Sequence, residues 1–97
     1  MPSVQEIAGK MREVLPVLQR RYKVSRLEIF GSYVRGEQKE ASDIDVLVDF
    51  SETIDLFTFM ELEGFLSEKV GVKVDLVMRD ALKPRIKDAV LREAVPV

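Results

Sequence analysis

The sequence predicts an α+β fold in which a small mixed sheet packs against helices within a single domain, residues 1–97. Segments in which every second residue is apolar, as in half-buried strands, alternate with segments in which apolar residues recur three and four positions apart, as in amphipathic helices. The chain length of 97 residues fits one small domain. We expect the helices to cover one face of the sheet and to leave the other face less covered.

The first twenty residues predict an amphipathic helix that begins after Ser3, a favourable N-cap residue. Proline removes an amide donor and crowds the preceding turn, so Pro16 is expected either to kink this helix or to end it early. The apolar stripe of the helix consists of Val4, Ile7, Met11, Val14 and Leu18.

Two predicted strands follow, separated by an exposed loop. Residues 26–30 form the first strand, which stops at Gly31 and Ser32, and the polar residues 35–42 form the loop. Residues 43–50 alternate strictly and predict the second strand. Its core face carries Ile44, Val46, Val48 and Phe50, and its opposite face carries Asp43, Asp45, Leu47 and Asp49.

The C-terminal half predicts a helix, a third strand and a last helix. An apolar stripe over residues 56–70 ends at Gly71, which suits the positive φ of a helix C-terminus. Residues 72–77 alternate as a strand, and the last helix is expected to begin near Pro84. Residues 94–97 form either a short edge strand or a frayed tail. The inward side chains of the last helix are predicted to be Ile86, Ala89 and Val90.

The composition excludes several kinds of metal site and catalytic group. The sequence has 15 Lys+Arg, 17 Asp+Glu and no His or Cys, which excludes nitrogen- and sulfur-ligated zinc, a thiolate nucleophile and a Ser-His-Asp triad. Any metal ion must therefore be oxygen-ligated. The net charge of -2 argues against direct nucleic-acid binding by the chain alone. The absence of Cys, of a signal-peptide pattern and of a long apolar run predicts a cytoplasmic protein without membrane contact.

Three aspartates form the candidate metal site. Asp43 and Asp45 lie two positions apart on a predicted strand, so their Cβ atoms point the same way, roughly 6–7 Å apart. Such a pair can share one or two metal ions, and Asp75 on the next strand is a third candidate ligand or the group that accepts a proton. If the three lie within about 6 Å, each pair repels by on the order of 3 kcal/mol, which a cation would relieve. The alternative is a set of solvated surface residues, as we expect for Asp49.

A Gly-Ser pair ends the first predicted strand. Gly31 and Ser32 present backbone amides and a hydroxyl, which can hold a phosphate at the end of a sheet. A plain turn is the alternative for an isolated Gly-Ser pair. Beside Asp43 and Asp45, the pair would place a phosphate next to a metal site.

Taken together, Gly31-Ser32, ten intervening residues, Asp43-Ile44-Asp45 and a later Asp75 resemble the polymerase-β-like nucleotidyltransferase superfamily. The chain is most similar to its minimal branch, the MNT-type antitoxins of HEPN/MNT toxin–antitoxin pairs. The resemblance implies the nucleotidyltransferase-type α/β sandwich and an enzyme that uses Mg²⁺, with two ions, and ATP. By position, Gly31 and Ser32 would hold the β- and γ-phosphates, and Asp43 and Asp45 would ligate the metal ions. Asp75 would complete the metal site and activate the acceptor oxygen.

The resemblance also implies a partner and an activity. MNT-type proteins silence a HEPN-type RNase toxin by adenylylating a tyrosine, so this chain would be an adenylyltransferase antitoxin; the alternative is an antitoxin that neutralises by binding alone. Arg35 would either reach a phosphate or pair with Glu37 or Glu40. The sequence leaves open the nucleotide base, the number of AMP groups, and whether the chain forms a homodimer or only a hetero-oligomer with the toxin. Val34 departs from the smaller residue that relatives often carry.

Overall fold

A computed structural model describes residues 2–97 and confirms the predicted α+β class. Within residues 2–97, four helices and four strands alternate, with one short 3-10 turn after the third strand. The elements are α1 (Val4–Arg21), β1 (Val24–Phe30), α2 (Ser32–Arg35), β2 (Ile44–Phe50), α3 (Leu56–Val70), β3 (Val74–Met78), the 3-10 turn (Arg79–Ala81), α4 (Pro84–Glu93) and β4 (Val95–Pro96).

The four strands form one mixed sheet in the order β3-β2-β1-β4. Strands β2 and β3 are parallel, whereas β1 is antiparallel to both β2 and β4. The end of β1 therefore lies beside the beginning of β2, which lies beside the beginning of β3. This arrangement brings three chain segments that are distant in sequence to one corner of the sheet.

The first helix begins where the sequence predicts and contains Pro16 in its interior. The hydroxyl oxygen of Ser3 accepts a hydrogen bond from the backbone amide of Glu6 at 3.2 Å, as expected of an N-cap. The helix continues past Pro16 to Arg21, so the expectation that it ends early is wrong. Pro16 is exposed, which keeps its ring on the solvent side of the helix. The apolar stripe on the opposite side packs on the sheet regardless.

The main core lies between one face of the sheet and the helices α1 and α3. The predicted inward residues of β2 contribute to it, and Gly71 ends α3 with a φ of +75°, as predicted. The opposite face is more covered than expected, because Leu47 is 1% exposed and Glu28 is 5% exposed. The fully buried core side chains of the two helices include Ile7, Met11, Leu18, Leu62, Leu66 and Val70.

The C-terminal segment corrects one prediction and decides another. Helix α4 begins at Pro84 as expected, but Ile86 and Ala89 are exposed and only Val90 of the predicted inward set is buried. Residues after α4 form the edge strand β4, and the carbonyl of Val97 accepts a hydrogen bond from Arg12. None of the helices within residues 2–97 has both the length and the apolar composition needed to span a membrane.

Candidate active site

Asp45 lies at the corner where β1 ends and β3 begins. In the sheet register it faces Phe30 of β1 on one side and Asp75 of β3 on the other. Neighbouring strands are about 4.8 Å apart, so the carboxylates of Asp45 and Asp75 project from adjacent positions on one face. Asp43 precedes β2 by one residue and is exposed. The structure therefore brings together residues that are 30 positions apart in sequence.

The electrostatics of this corner are those of crowded negative charge. Partial burial, the charge and hydrogen bonding of Asp75 and the charge of Asp43 together raise the pKa of Asp45 to about 6. The guanidinium of Arg35 opposes the shift. Asp45 therefore takes up a proton at a higher pH than an isolated aspartate does, because an additional negative charge is unfavourable in this partly buried corner.

The side chains at this corner are of the type that binds a cation through oxygen atoms, although they are not arranged around a cation position. Among residues 2–97, no three acidic side chains are arranged around a common metal position. The donor set at the corner nevertheless consists of carboxylate oxygens, which Mg²⁺ prefers. The charges of Asp75 and Asp43 contribute to the raised pKa of Asp45, and a positive charge at this corner would offset their repulsion.

Gly31 is required at the turn beside Asp45 for two reasons. Its φ of +83° and ψ of -152° belong to a region that residues with a side chain avoid. In addition, a Cβ atom at this position would lie 3.1 Å from Cγ of Asp45 and would overlap its Oδ2. The glycine therefore lets the turn and the Asp45 carboxylate touch.

Ser32 is the first residue of the four-residue helix α2 and is half-buried. The amides of Val34 and Arg35 bond back to the carbonyl of Gly31 at 3.1 and 3.2 Å, which fixes the turn. The first amides of a helix have no acceptor within the helix. Ser32 directly follows Gly31, whose turn lies against the Asp45 carboxylate, so its hydroxyl and the first amides of α2 stay candidate donors to a phosphate.

Glu93, which sequence reasoning missed, occupies the other side of the Gly31 turn. Its carboxylate accepts a hydrogen bond from the Gly31 amide at 2.7 Å and two from Nη1 of Arg35 at 3.0 and 3.1 Å. Arg35 also donates to Glu37 at 2.8 Å, which is one of the alternatives that the sequence left open, and its other carboxylate partner is Glu93. These carboxylates raise the pKa of Arg35.

The position of Glu93 at the end of a predicted helix could have identified it from the sequence. It is the last residue of α4, where an acidic side chain faces the negative end of the helix dipole. A carboxylate in that position needs compensation from elsewhere, which Gly31 and Arg35 supply.

A separate ion-pair network lies at the far end of the open face. Arg79 donates to Glu28 and, through Nε at 3.1 Å, to Asp49, and Arg26 approaches Glu28 at 3.4 Å. Asp49 is therefore not the solvated residue that we expected. The network explains why the carboxylate of Glu28 is buried, because removing a charge from water requires such partners. Within residues 2–97, no hydrogen bond or ion pair joins this network to Asp43, Asp45 or Asp75.

Comparisons with known proteins identify similar sequences and similar folds. The family described as nucleotidyltransferase domain matches residues 11–97. The protein adenylyltransferase MntA of Thermococcus cleftensis is 46% identical over 97 residues, which is all of this chain and 98% of that protein. A solved structure of a protein assigned as a minimal nucleotidyltransferase superposes with a TM-score of 0.82 at 36% identity, covering 99% of this chain and 97% of the other.

A further similarity is to one chain of a solved toxin-antitoxin structure. A crystal structure of a toxin-antitoxin with AMP-PNP contains a chain that is 27% identical to this one, with a TM-score of 0.67. The alignment covers 95% of this chain and 69% of that chain, so the relative is longer.

Proposed function

Because this chain belongs to the nucleotidyltransferase domain family, we propose that it transfers AMP from ATP to a tyrosine hydroxyl of a HEPN-type toxin and thereby acts as its antitoxin. Its full-length relatives include named protein adenylyltransferases, so the enzyme class is that of the family. The observation that carries the proposal is the position of Asp45 between the Gly31 turn and Asp75, with a pKa raised to about 6. A phosphate-binding turn and a cation-binding carboxylate are in contact there.

The acidic residues have distinct roles in the proposed reaction. Asp43, Asp45 and Asp75 would hold Mg²⁺, which supplies charge neutralisation at the transferred phosphoryl group when bound. Asp75 is exposed and can accept the proton of the tyrosine hydroxyl. The tyrosine oxygen then bonds to the α-phosphorus of ATP, the bond from that phosphorus to the bridging oxygen breaks, and pyrophosphate leaves.

The residues around the turn would bind the triphosphate. The Ser32 hydroxyl and the first amides of α2 are donors for phosphate oxygens, and Arg35 supplies a positive charge that acts on Asp45. The Gly31 amide and Arg35 are engaged by Glu93 in the free protein. The triphosphate therefore has to replace or share the contacts of Glu93 when it binds.

The need for a protein partner is supported by size and by similarity. A chain of 97 residues has few elements beyond those that build the site, so a large acceptor has to bring its own surface. A 27% identical relative is found in a toxin-antitoxin assembly with a nucleotide analogue. Both observations favour a protein acceptor over a small molecule.

The test is to incubate the purified chain with Mg-ATP and the toxin encoded beside it, and to weigh both proteins by mass spectrometry. We expect the toxin to gain the mass of AMP in the presence of the wild-type chain and not with Asp45→Asn. An authentic toxin that stays unmodified while it binds the chain would refute the proposal.

The second candidate, neutralisation by binding alone, is favoured by the exposed apolar side chains of α3. The double substitution Asp43→Ala and Asp45→Ala separates the two functions. If the double variant still neutralises the toxin fully at normal expression, binding alone is sufficient.

A further inference from the structure

A patch of exposed apolar side chains lies where β3 ends and α3 begins. Within residues 2–97 six large apolar side chains are exposed, and four of them belong to this patch. Phe57 is 83% exposed and Leu56 is 69% exposed, so water covers most of both side chains. Helical spacing places Met60 beside them, and a cavity of about 220 Å³ joins Leu56 to Met78. We refer to Leu56, Phe57, Met60 and Met78 as the α3 patch.

An acidic rim borders the α3 patch. A second cavity of about 470 Å³ adjoins the first and shares Ile54 and Met78 with it. The basic residue that lines this cavity, Arg79, is already bonded to Glu28 and Asp49. The ion pairs found in residues 2–97 include none with the remaining acidic residues around the patch, which are Glu52, Asp55 and Asp80.

We propose that the α3 patch and its acidic rim are the docking surface for the protein acceptor, which would present apolar side chains flanked by Lys or Arg. A contiguous exposed apolar area is typical of a protein interface. Asp55 caps the first turn of α3, but Glu52 and Asp80 have no ion-pair partner within residues 2–97. Their charge favours a basic partner, because complementary charges speed association and exclude other partners. A second copy of this chain fits less well, since a twofold contact through the patch would bring two acidic rims together. The inference rests on the proposed function and deepens it by stating where the toxin binds.

The docking surface is remote from the reacting groups. Asp45 lies near the beginning of β2, whereas the patch follows the end of that strand at Phe50, about 17 Å farther along. A small hydroxylated acceptor at Asp45 cannot touch the patch, but a folded domain of about 100 residues, with a radius of gyration near 13 Å, can span both. The patch would therefore select a protein acceptor without taking part in the chemistry.

The test compares exposed substitutions that leave the site intact. Phe57→Ser removes the most exposed member of the patch, and Ile86→Ser removes an exposed apolar side chain elsewhere as its matched control. Phe57→Ser should raise both the Kd and the KM for the toxin about 10- to 30-fold, as expected for an apolar interface anchor. Its kcat at saturating toxin, its affinity for AMP-PNP and its melting temperature should match those of the wild type.

A charge-reversal substitution on the acidic rim provides an independent test of the docking surface. Glu52→Lys on the rim should weaken toxin binding about 2- to 5-fold in low salt, and less in high salt, because exposed charges are screened. Glu13→Lys, an equally exposed acidic site on α1, is its control and should have no effect.

The possible outcomes distinguish the toxin from a second copy of the chain, and they separate the docking surface from the proposed function. A toxin KM for Phe57→Ser within twofold of the wild-type value overturns the proposal. So does a wild-type homodimer in sedimentation that Phe57→Ser dissociates, since the occupant is then a second copy. If the wild type binds the toxin without transferring AMP, but Phe57→Ser weakens binding, the docking surface stands and the proposed function fails. If transfer occurs and Phe57→Ser binds normally, the function stands and the docking surface fails.

Discussion

Replacing Glu93 by Gln should tighten nucleotide binding while destabilising the fold. In the free protein the Glu93 carboxylate accepts the Gly31 amide and two bonds from Arg35, which are donors that the proposed function assigns to the triphosphate. Hydrogen bonds to a charged group contribute about 1.5–3 kcal/mol and neutral ones about 0.5–1.5 kcal/mol. Glu93→Gln keeps the shape of the acceptor but loses the charge, so the competing contact weakens by roughly 1 kcal/mol.

The weaker contact at position 93 should favour nucleotide binding and disfavour the folded state. The Kd for AMP-PNP with Mg²⁺, measured by calorimetry, should fall by about 5- to 10-fold, because 1.4 kcal/mol corresponds to a factor of ten. The free energy of unfolding in urea should fall by about 1 kcal/mol, since the turn loses the charged bond. The control is Glu37→Gln, which bonds to Arg35 without contacting Gly31 and should leave the Kd within twofold. Weaker nucleotide binding by Glu93→Gln would show that Glu93 positions the turn for the nucleotide, and the competition argument would be wrong.

The remaining predictions concern the turn, the acidic corner and the first helix. Gly31→Ala should lower the free energy of unfolding by about 2–3 kcal/mol, because of its positive φ and the overlap with Asp45, and circular dichroism on heating should show the loss. The pKa of Asp45 is raised to about 6 on folding, so the folded state binds more protons than the unfolded state and stability falls as pH rises from about 4 to 6. Solvent screening of this partly exposed group limits the fall to about 1–2 kcal/mol, and Asp45→Asn should abolish it in urea titrations across that pH range. Ser3→Ala should cost about 1 kcal/mol of stability by loss of the N-cap, whereas Ser3→Asn should restore it.

The local patterns were sufficient to predict most of the elements. Period-two alternation identified the core face of β2, and the same alternation put Asp43, Asp45 and Asp75 on one face of the sheet. The strand spacing then explains why Asp45 and Asp75 become neighbours once β2 and β3 pair. These features depend on residues a few positions apart, which periodicity describes well.

The wrong predictions involve contacts between residues far apart in sequence. Leu47 was assigned to the less covered face, but Arg79 reaches Glu28 across 51 positions and helps to cover that face. The orientation of α4 was taken from its apolar stripe, yet the helix is held at its C-terminal end by Glu93 and β4. A ten-residue helix fixed at one end need not bury its whole stripe, which explains the exposure of Ile86.

The charges around Gly31 explain why the turn and the carboxylates belong to one site. Asp43, Asp45 and Asp75 lie on one side of the turn and Glu93 on the other, and the guanidinium of Arg35 is the positive charge among them. A triphosphate alone would meet repulsion from this set, and a divalent cation alone would leave the anion-binding donors of the turn unused. The metal ion and the triphosphate neutralise each other's unfavourable contacts, so their binding to this corner should be mutually dependent. Burial is the first cause of the raised pKa of Asp45 and the charges of Asp75 and Asp43 add to it, so protonation of Asp45 relieves part of the repulsion that a bound cation would also relieve.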